Sequence, residues 1–171
     1  VPESMEKPRL CNKINVAGTY NILEAARINR VERFIFSSSA AVYGNYEDPC
    51  IETQGCSPTS PYGLSKLIGE QYCQSYCQWF NLHTLCLRYF NVYGKRQHIK
   101  QQGVYEKIQA AMRDNSQIVI YGDGNQTRDF ISVNEVTATN LALAQLPINY
   151  LNGQIVNIAS GKSITLNHLL D

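Results

Sequence analysis

Segments with helical and with strand-like hydrophobic patterns alternate along most of this 171-residue chain. Such alternation is typical of α/β proteins, in which helices cover a mostly parallel sheet. The apolar spacing predicts helices over 9–29, 61–80, 103–114 and 133–145, with a further helical start at 165–171. Short apolar runs predict strands over 33–39, 83–90, 117–122 and 153–159, and the segment RDFIS (128–132) precedes the fourth helix.

Charge and hydropathy argue against several classes of protein. The 15 Lys and Arg residues nearly balance the 14 Asp and Glu residues, so the chain lacks the basic surface that nucleic-acid binding needs. Its apolar runs are far shorter than the roughly 20 residues of a membrane-spanning helix, and its N-terminus has no secretory pattern. We therefore expect no nucleic-acid partner, no membrane and a cytoplasmic location.

The six cysteines could indicate disulfides or a metal site. They lack the paired C-x-x-C spacing of zinc sites, and Cys86 lies within an apolar strand-like run. Reduced thiols are the expected state in a cytosolic protein. The sequence therefore predicts free cysteines and no metal.

Polar side chains follow two of the predicted strands. Ser37–Ser39 end one apolar run, and Tyr89–Asn91 end another. In parallel α/β sheets, ligands lie beyond the carboxyl ends of the strands. These two segments are therefore candidates for a binding site.

The stretch SPYGLSK (60–66) places a tyrosine and a lysine at the start of a predicted helix. Ser60 can cap this helix, Pro61 suits its first position, and Tyr62 and Lys66 lie four residues apart on one face. An ammonium there would favour the ionised form of the phenol, whose free pKa is about 10. With 11 tyrosines in the chain such a pair can arise by chance, and a surface Tyr and Lys on an amphipathic helix is the alternative.

No glycine-rich dinucleotide-binding fingerprint occurs in the sequence. The only G-x-G is Gly122–Gly124, and position 127 is Thr rather than a third glycine. Asp123-Gly124 after an apolar run is more simply a tight turn. The chain itself therefore offers no loop that would hold a pyrophosphate at a helix N-terminus.

Five separated motifs of the sequence form one pattern. They are NVAGTYNILEAA (15–26), FSSSAAVYG (36–44), SPYGLSK (60–66), LRYFNVYG (87–94) and GDGNQTRDFISVNE (122–135). In this order and spacing they resemble motifs of the extended short-chain dehydrogenase/reductase superfamily. More narrowly, they are similar to NAD-dependent nucleotide-sugar epimerases and dehydratases, with UDP-sugar 4-epimerases closest.

The resemblance implies a partial Rossmann-like fold. It implies the C-terminal half of a doubly wound parallel sheet, formed by residues 1–95 and 127–150, and part of a small α/β substrate-binding domain, formed by 96–126 and 151–171. Family members begin with a glycine-rich βαβ unit and an acidic residue for the adenosine ribose, and this sequence contains neither. We therefore expect an internal fragment of a longer enzyme, inactive by itself.

The resemblance also implies the catalytic residues. Tyr62 would be the acid/base, and Lys66 would lower its pKa and bind the nicotinamide ribose, so both contact the NAD cofactor. Ser39 would orient O4 of the sugar, with Ser37 or Ser38 nearer the cofactor and Ser38 also a candidate for substrate binding. Capping of the backbone by a strand-end hydroxyl is the alternative for at least one of these serines.

Further residues of the site follow from the same resemblance. Asn15 would support the active-site helix or the cofactor region, and Tyr89 and Phe90 would line the nicotinamide. The alternatives are a solvated helix residue for Asn15 and a core aromatic pair for the other two.

Two residues are candidates for binding the substrate diphosphate. Asn91 resembles an amide that meets the diphosphate, with a turn Asn as the alternative. Arg128 could form a bidentate fork with phosphate oxygens. An ion pair between Arg128 and its neighbour Asp129 is the competing interpretation.

The implied reaction is NAD-dependent epimerisation at C4 of a UDP-hexose through a transient 4-keto intermediate. Dehydratases of the family carry an Asp-Glu pair directly after the strand-end hydroxyl, whereas Ala40 and Ala41 follow Ser39 here. The remaining alternatives are a 4,6-dehydratase, a decarboxylase, or a non-catalytic chain that only binds or assembles. The resemblance further implies a homodimer through helices 9–29 and 61–80, and a place in polysaccharide biosynthesis.

Overall fold

A computed structural model describes residues 1–45, 49–95, 103–120 and 122–170 of the chain. These residues form two compact units, one of Val1–Tyr89 with Leu141–Ile158 and one of Phe90–Asn140 with Ala159–Asp171. The predicted division into an NAD-binding part and a substrate-binding part is defined by ligands rather than by compactness. It therefore stays a prediction.

The first unit has a central parallel sheet of three strands, with Arg33–Ser39, His83–Tyr89 and Gln154–Ile158 in this spatial order. Its elements are α1 (Pro2–Glu6), α2 (Pro8–Cys11), a π-helical segment (Asn12–Ala17), α3 (Gly18–Ile28), β1 (Arg33–Ser39), a 3₁₀ turn (Ala40–Val42), α4 (Pro61–Phe80), β2 (His83–Tyr89), a second 3₁₀ turn (Ile148–Tyr150) and β5 (Gln154–Ile158). The parallel α/β fold expected from the alternating pattern is confirmed.

Strands β1 and β2 pair over their whole length. The register runs from Arg33 opposite His83 to Ser39 opposite Tyr89. Both residues end their strands, as the sequence predicted, and the register places Ser39 and Tyr89 side by side at the carboxyl edge of the sheet.

The core of this unit lies between the sheet and helices α3 and α4. Its buried residues are Leu23, Ala26, Phe36, Cys73, Tyr76, Leu82 and Cys86. Gly69 allows α4 to approach β1 closely, because a Cβ there would lie 2.3 Å from the Phe36 ring. All six cysteines of the chain have free thiols.

The second unit contains a smaller mixed sheet of β3 (Asn91–Tyr93), β4 (Thr127–Ser132) and β6 (Ser163–Thr165), in this spatial order. Strands β3 and β4 are parallel, and β6 runs antiparallel to β4. Helices α5 (Val104–Arg113) and α7 (Leu166–Leu170) belong to it, and α6 (Val133–Ala144) follows β4.

Two sequence predictions need correction. The strand predicted over 117–122 is wrong, because residues 117–120 and Gly122 join no strand and residue 121 lies outside the described residues. Ile118 and Ile120 are half-buried and Val119 is exposed, so the run is apolar, but within the described residues it joins neither sheet. The helix predicted over 9–29 is interrupted by the π-helical segment Asn12–Ala17.

Helix α4 begins and ends where the sequence predicted. Ser60 accepts a hydrogen bond from the Gly63 amide through its hydroxyl, and Asn81 ends the helix in the left-handed conformation, with φ 55°. In the described part of the chain, no helix has the length and apolarity needed to cross a membrane.

Candidate functional site

The first turn of α4 lies against the turn that follows β1. Gly63 makes this contact possible, because a Cβ at this position would lie 2.5 Å from the carbonyl oxygen of Ala41. The close approach brings Tyr62, next to this glycine, to the region where β1 ends. A larger residue at position 63 would move the helix N-terminus away from the strand end.

Lys66 links α4 to the end of β1. Its Nζ donates a hydrogen bond to the carbonyl oxygen of Ser37 over 2.8 Å and lies 5.8 Å from the centre of the Tyr62 ring. Burial lowers the pKa of the Lys66 ammonium, and the nearby Cys11 opposes this shift. An ammonium carries three donors, and within the described residues Ser37 is the one hydrogen-bond acceptor of this group.

The three serines at the end of β1 have different environments. Ser37 is exposed, Ser39 is half-buried, and Ser38 is buried with its hydroxyl donating to Glu70 Oε1 over 2.5 Å. The Ser38 hydroxyl therefore binds a buried carboxylate inside the protein. This position does not favour the substrate or cofactor contact predicted for Ser38. The Ser39 hydroxyl accepts a hydrogen bond from the Ala41 amide at 3.2 Å, which is the capping contact given as the alternative. Among the described residues, no acceptor binds the proton of this hydroxyl.

A buried ion pair lies beneath these serines. Arg88 binds both carboxylate oxygens of Glu70, at 2.9 and 2.7 Å, and its guanidinium carbon lies 4.6 Å from the centre of the Tyr43 ring. Burial opposes the charge of Arg88, but its bonds to Glu70 and Tyr43 outweigh burial and raise the pKa. This ion pair was not predicted from the sequence, although an Arg in the apolar run TLCLRYF (84–90) is a signal of a buried partner.

Asn15 contacts the active-site helix. Its Nδ2 donates to the Ser65 hydroxyl over 3.0 Å and lies 3.6 Å from the Cys11 sulfur. Ser65 in turn donates to the carbonyl oxygen of Tyr62 over 2.7 Å. The side chain of Asn15 is therefore directed at α4, and a contact between Asn15 and NAD stays a prediction.

Three of the predicted residues belong to the second unit. Phe90 is half-buried, and the Asn91 Nδ2 donates to the Asp129 carbonyl oxygen over 3.0 Å. Arg128 is exposed and forms no ion pair within the described residues; its Nη1 donates to the Thr127 carbonyl oxygen. The competing ion pair with Asp129 is not formed, because that carboxylate accepts the Ser160 and Gly161 amides at 2.8 and 2.7 Å.

Comparisons with known proteins connect this geometry to a family. The sequence model of the NAD dependent epimerase/dehydratase family matches residues 1–159. The chain belongs to this family. The resemblance that the motifs indicated is confirmed, and the cofactor of the family is NAD, as expected.

The relatives of this chain within the epimerase/dehydratase family are named for different reactions. A Methanocaldococcus jannaschii protein named "Putative UDP-glucose 4-epimerase" is 43% identical over 100% of this chain and 55% of its own length. The human dTDP-D-glucose 4,6-dehydratase is 32% identical over 91% of this chain and 43% of its own.

Solved structures share the fold as well. The UDP-N-acetylglucosamine 4-epimerase of Methanobrevibacter ruminantium M1, in complex with UDP-N-acetylmuramic acid, has a TM-score of 0.92 and 38% identity, covering 99% of this chain and 55% of that protein. The chain spans about half the length of the curated relatives it matches.

Proposed function

We propose that the native protein containing this chain interconverts the C4 epimers of a UDP-hexose with the help of NAD. The observation that carries this proposal is the position of the Lys66 amine. It is anchored to Ser37 at the end of β1 and lies 5.8 Å from the centre of the Tyr62 ring. A phenol, an ammonium and a strand-end hydroxyl at one sheet edge are the groups needed to move a proton at a sugar hydroxyl.

In the proposed reaction, Tyr62 as phenolate takes the proton of the C4 hydroxyl while the C4 hydrogen leaves as hydride, which gives the 4-ketone. NAD supplies the hydride acceptor, and in reduced form the donor, when it is bound. Tyr62 then returns its proton to O4 as hydride reaches the other face of C4. Ser39 donates a hydrogen bond to O4 and Lys66 favours the charged phenolate.

The groups in the first unit fit the nicotinamide end of NAD. Two donors of the half-buried Lys66 ammonium have no hydrogen-bond partner within the described residues, and a ribose diol offers two acceptors. Lys66, Tyr62 and exposed Ser37 would hold the ribose. Tyr89, in the same unit, and Phe90, the first residue of the second unit, would line the nicotinamide. The sequence contains no glycine-rich loop for the pyrophosphate, so we propose that the 171-residue chain alone does not turn over.

The absence of an acid after Ser39 favours epimerisation over elimination. Ala40 and Ala41 form the 3₁₀ turn after β1, and methyl groups cannot move protons at C5 or C6. Glu47, the next acid in the sequence, lies outside the described residues. Returning the hydride is then the easiest exit for the 4-ketone, although the dehydratase among the relatives keeps a 4,6-dehydratase as the second candidate.

For the substrate diphosphate we propose Arg128 and Asn91. The Arg128 guanidinium forms no ion pair within the described residues, which leaves a bidentate face for phosphate oxygens. One N–H of the Asn91 side-chain amide donates to the Asp129 carbonyl oxygen. The side-chain oxygen and the second N–H of this amide could then bind the diphosphate.

We also propose that the native protein is a homodimer joined by the helical segments 9–29 and 61–80. These segments expose large apolar side chains, which a second copy would cover. They are Leu10, Ile14, Tyr20, Ile22, Ile28, Leu64, Trp79 and Phe80.

The reaction is tested by incubating the native protein with NAD⁺ and each of several UDP-hexoses. We expect NMR to show C4 epimers in the product mixture, with no net reduction of the cofactor. A 4-keto-6-deoxy sugar would instead identify a dehydratase, and a pentose would identify a decarboxylase. No turnover of any UDP-sugar by folded, NAD-loaded protein would support the non-catalytic alternative.

A further inference from the structure

Two serine hydroxyls bind the backbone of Tyr62, one from the N-terminal segment of the chain and one from α4 itself. Ser4, in α1, is 6% exposed, and its hydroxyl accepts the Tyr62 N–H at 3.2 Å. On the other side, the Ser65 hydroxyl donates to the Tyr62 carbonyl oxygen over 2.7 Å and itself accepts from Asn15.

The hydroxyl of Ser4 completes the hydrogen bonding at the start of α4. The first N–H groups of a helix have no partner within the helix. Pro61 has no N–H, the Gly63 amide is bound by the Ser60 hydroxyl, and the Leu64 amide donates to the Ser60 carbonyl oxygen. The Tyr62 amide is the remaining donor of this turn, and it is bound by a residue far away in sequence.

The orientation of Ser4 is itself fixed. Its hydroxyl donates to the Val1 carbonyl oxygen over 2.7 Å and so presents a lone pair to Tyr62. A buried hydroxyl held at both its donor and its acceptor side has little freedom to rotate. Ser4 therefore determines where the Tyr62 amide, and with it the first turn of α4, can lie.

The π-helical segment contains Asn15, which binds the Ser65 hydroxyl on the carbonyl side of Tyr62. Cys11 and Asn15 are four residues apart and both reach the Ser65 hydroxyl, at 3.7 and 3.0 Å. The wider π turn spans Asn12–Ala17, so it sets the position of the Asn15 amide relative to α4. Single π turns inside helices are frequent at functional sites.

We infer that Ser4 is a positioning residue for the proposed reaction, because it holds the Tyr62 backbone so that the phenol meets the sugar hydroxyl. Ser65 holds the same residue from its carbonyl side. This inference rests on the proposed acid/base role of Tyr62. Positioning matters in such a reaction because a displacement of about 1 Å can lower the rate about 10²-fold.

The test uses the native protein with Ser4→Ala, Ser4→Thr and Tyr62→Phe. We expect Ser4→Ala to lower kcat about tenfold while KM changes less than about twofold, since substrate contacts are unchanged. Ser4→Thr retains the hydroxyl and should restore kcat. A folded Ser4→Ala variant with unchanged kcat would overturn the inference.

A double-mutant cycle separates positioning from a general loss of stability. If Ser4 acts through the phenol, Ser4→Ala should change the residual kcat of Tyr62→Phe by less than about twofold. An equal loss of kcat in both backgrounds would overturn the inference and leave the proposed function intact. Full activity of Tyr62→Phe would overturn the proposed function instead.

Thr84→Val is the matched control. The buried Thr84 hydroxyl donates to the Cys73 carbonyl oxygen of α4 over 2.8 Å, so the variant also removes one hydroxyl bond to this helix but far from Tyr62. We expect it to lower the free energy of unfolding without changing kcat. If Ser4→Ala does not fold, Ser65→Ala replaces it in the same cycle, with the same outcomes supporting or overturning the inference.

Discussion

The Lys66 ammonium donates a hydrogen bond to the main-chain carbonyl oxygen of Ser37, 2.8 Å away. The bond joins the active-site helix α4 to the end of β1 and keeps the amine beside the Tyr62 ring. An acceptor on the backbone holds the amine without neutralising its charge, as a carboxylate would. The positive charge therefore remains available to a phenolate and to the hydroxyls of a bound ribose.

Tyr62→Phe in the native protein should remove most of the activity. General acid–base catalysis contributes about 10²–10⁴-fold, so we expect kcat to fall by that factor while NAD remains bound. Tyr72→Phe is the control, because it removes a hydroxyl from the same helix, from a ring that packs on Tyr20. The test is to measure kcat and NAD content for the wild type and both variants. A Tyr62→Phe variant with more than half of the wild-type kcat would contradict the acid/base role of Tyr62.

Arg128→Ala should weaken substrate binding more than it slows the chemistry. A hydrogen bond to a charged group is worth about 1.5–3 kcal/mol, so we expect KM for the UDP-sugar to rise about 10- to 100-fold. The diphosphate is bound equally in the ground and transition states, and kcat should change little. Arg113→Ala is the control, since Arg113 is exposed and pairs with Asp114. An unchanged KM would remove Arg128 from the binding site.

Arg88→Met should destabilise the protein strongly. It leaves the carboxylate of Glu70, 1% exposed, with the Ser38 hydroxyl but without its cationic partner, and breaking a buried ion pair in this way costs about 3–5 kcal/mol. The double variant Arg88→Met/Glu70→Gln removes both charges and should recover part of the loss. Denaturant unfolding gives the free energy of unfolding of the single and the double variant. Equal destabilisation of the two would argue against the uncompensated Glu70 charge as the cause.

The sequence predicted the parts of the fold that depend on local signals. Helix α4 has a capping serine, a proline at its first position and a terminating Asn81, and its bounds were predicted correctly. The strand predicted over 117–122 failed because an apolar run forms a strand only where a neighbouring strand offers hydrogen bonds, and sequence alone does not give that partner.

In the candidate site too, contacts within one helix could be predicted from the sequence, whereas contacts between distant segments could not. Tyr62 and Lys66 are four residues apart on one helix, so helical geometry alone brings them together. The partner of Ser38 could not be predicted in this way, because its hydroxyl meets Glu70 only when α4 packs on β1. Ser4 was missed for the same reason, since 58 residues separate it from the Tyr62 amide that it binds.

The Tyr76 hydroxyl should stabilise the fold in a pH-dependent way. It donates to Glu24 over 2.6 Å, and the bonds from Arg27 and then Tyr76 lower the pKa of Glu24 from its ordinary value of 4.5. A lowered carboxylate pKa gives stability that is present above the unfolded value and is lost as the pH falls through the folded value.

Tyr76→Phe should therefore cost more stability at neutral pH than at about pH 3. Denaturant unfolding at both pH values measures the difference. Tyr72→Phe is again the control, because the Tyr72 hydroxyl makes no hydrogen bond within the described residues and its effect should not depend on pH. A pH-independent loss for Tyr76→Phe would show that the hydroxyl does not act through the Glu24 carboxylate.

Ile22→Glu should convert the proposed dimer of the native protein into a monomer. Ile22 is 61% exposed on α3, one of the two helices whose apolar side chains a second copy would cover. A carboxylate placed there would be desolvated in the interface and would lie near its counterpart in the second copy. Val119→Glu is the matched control, because Val119 is 73% exposed but lies outside both helices. Light scattering at micromolar concentration should give a dimer mass for the wild type and the control and a monomer mass for Ile22→Glu, and a wild-type protein that is already monomeric would contradict the proposed interface.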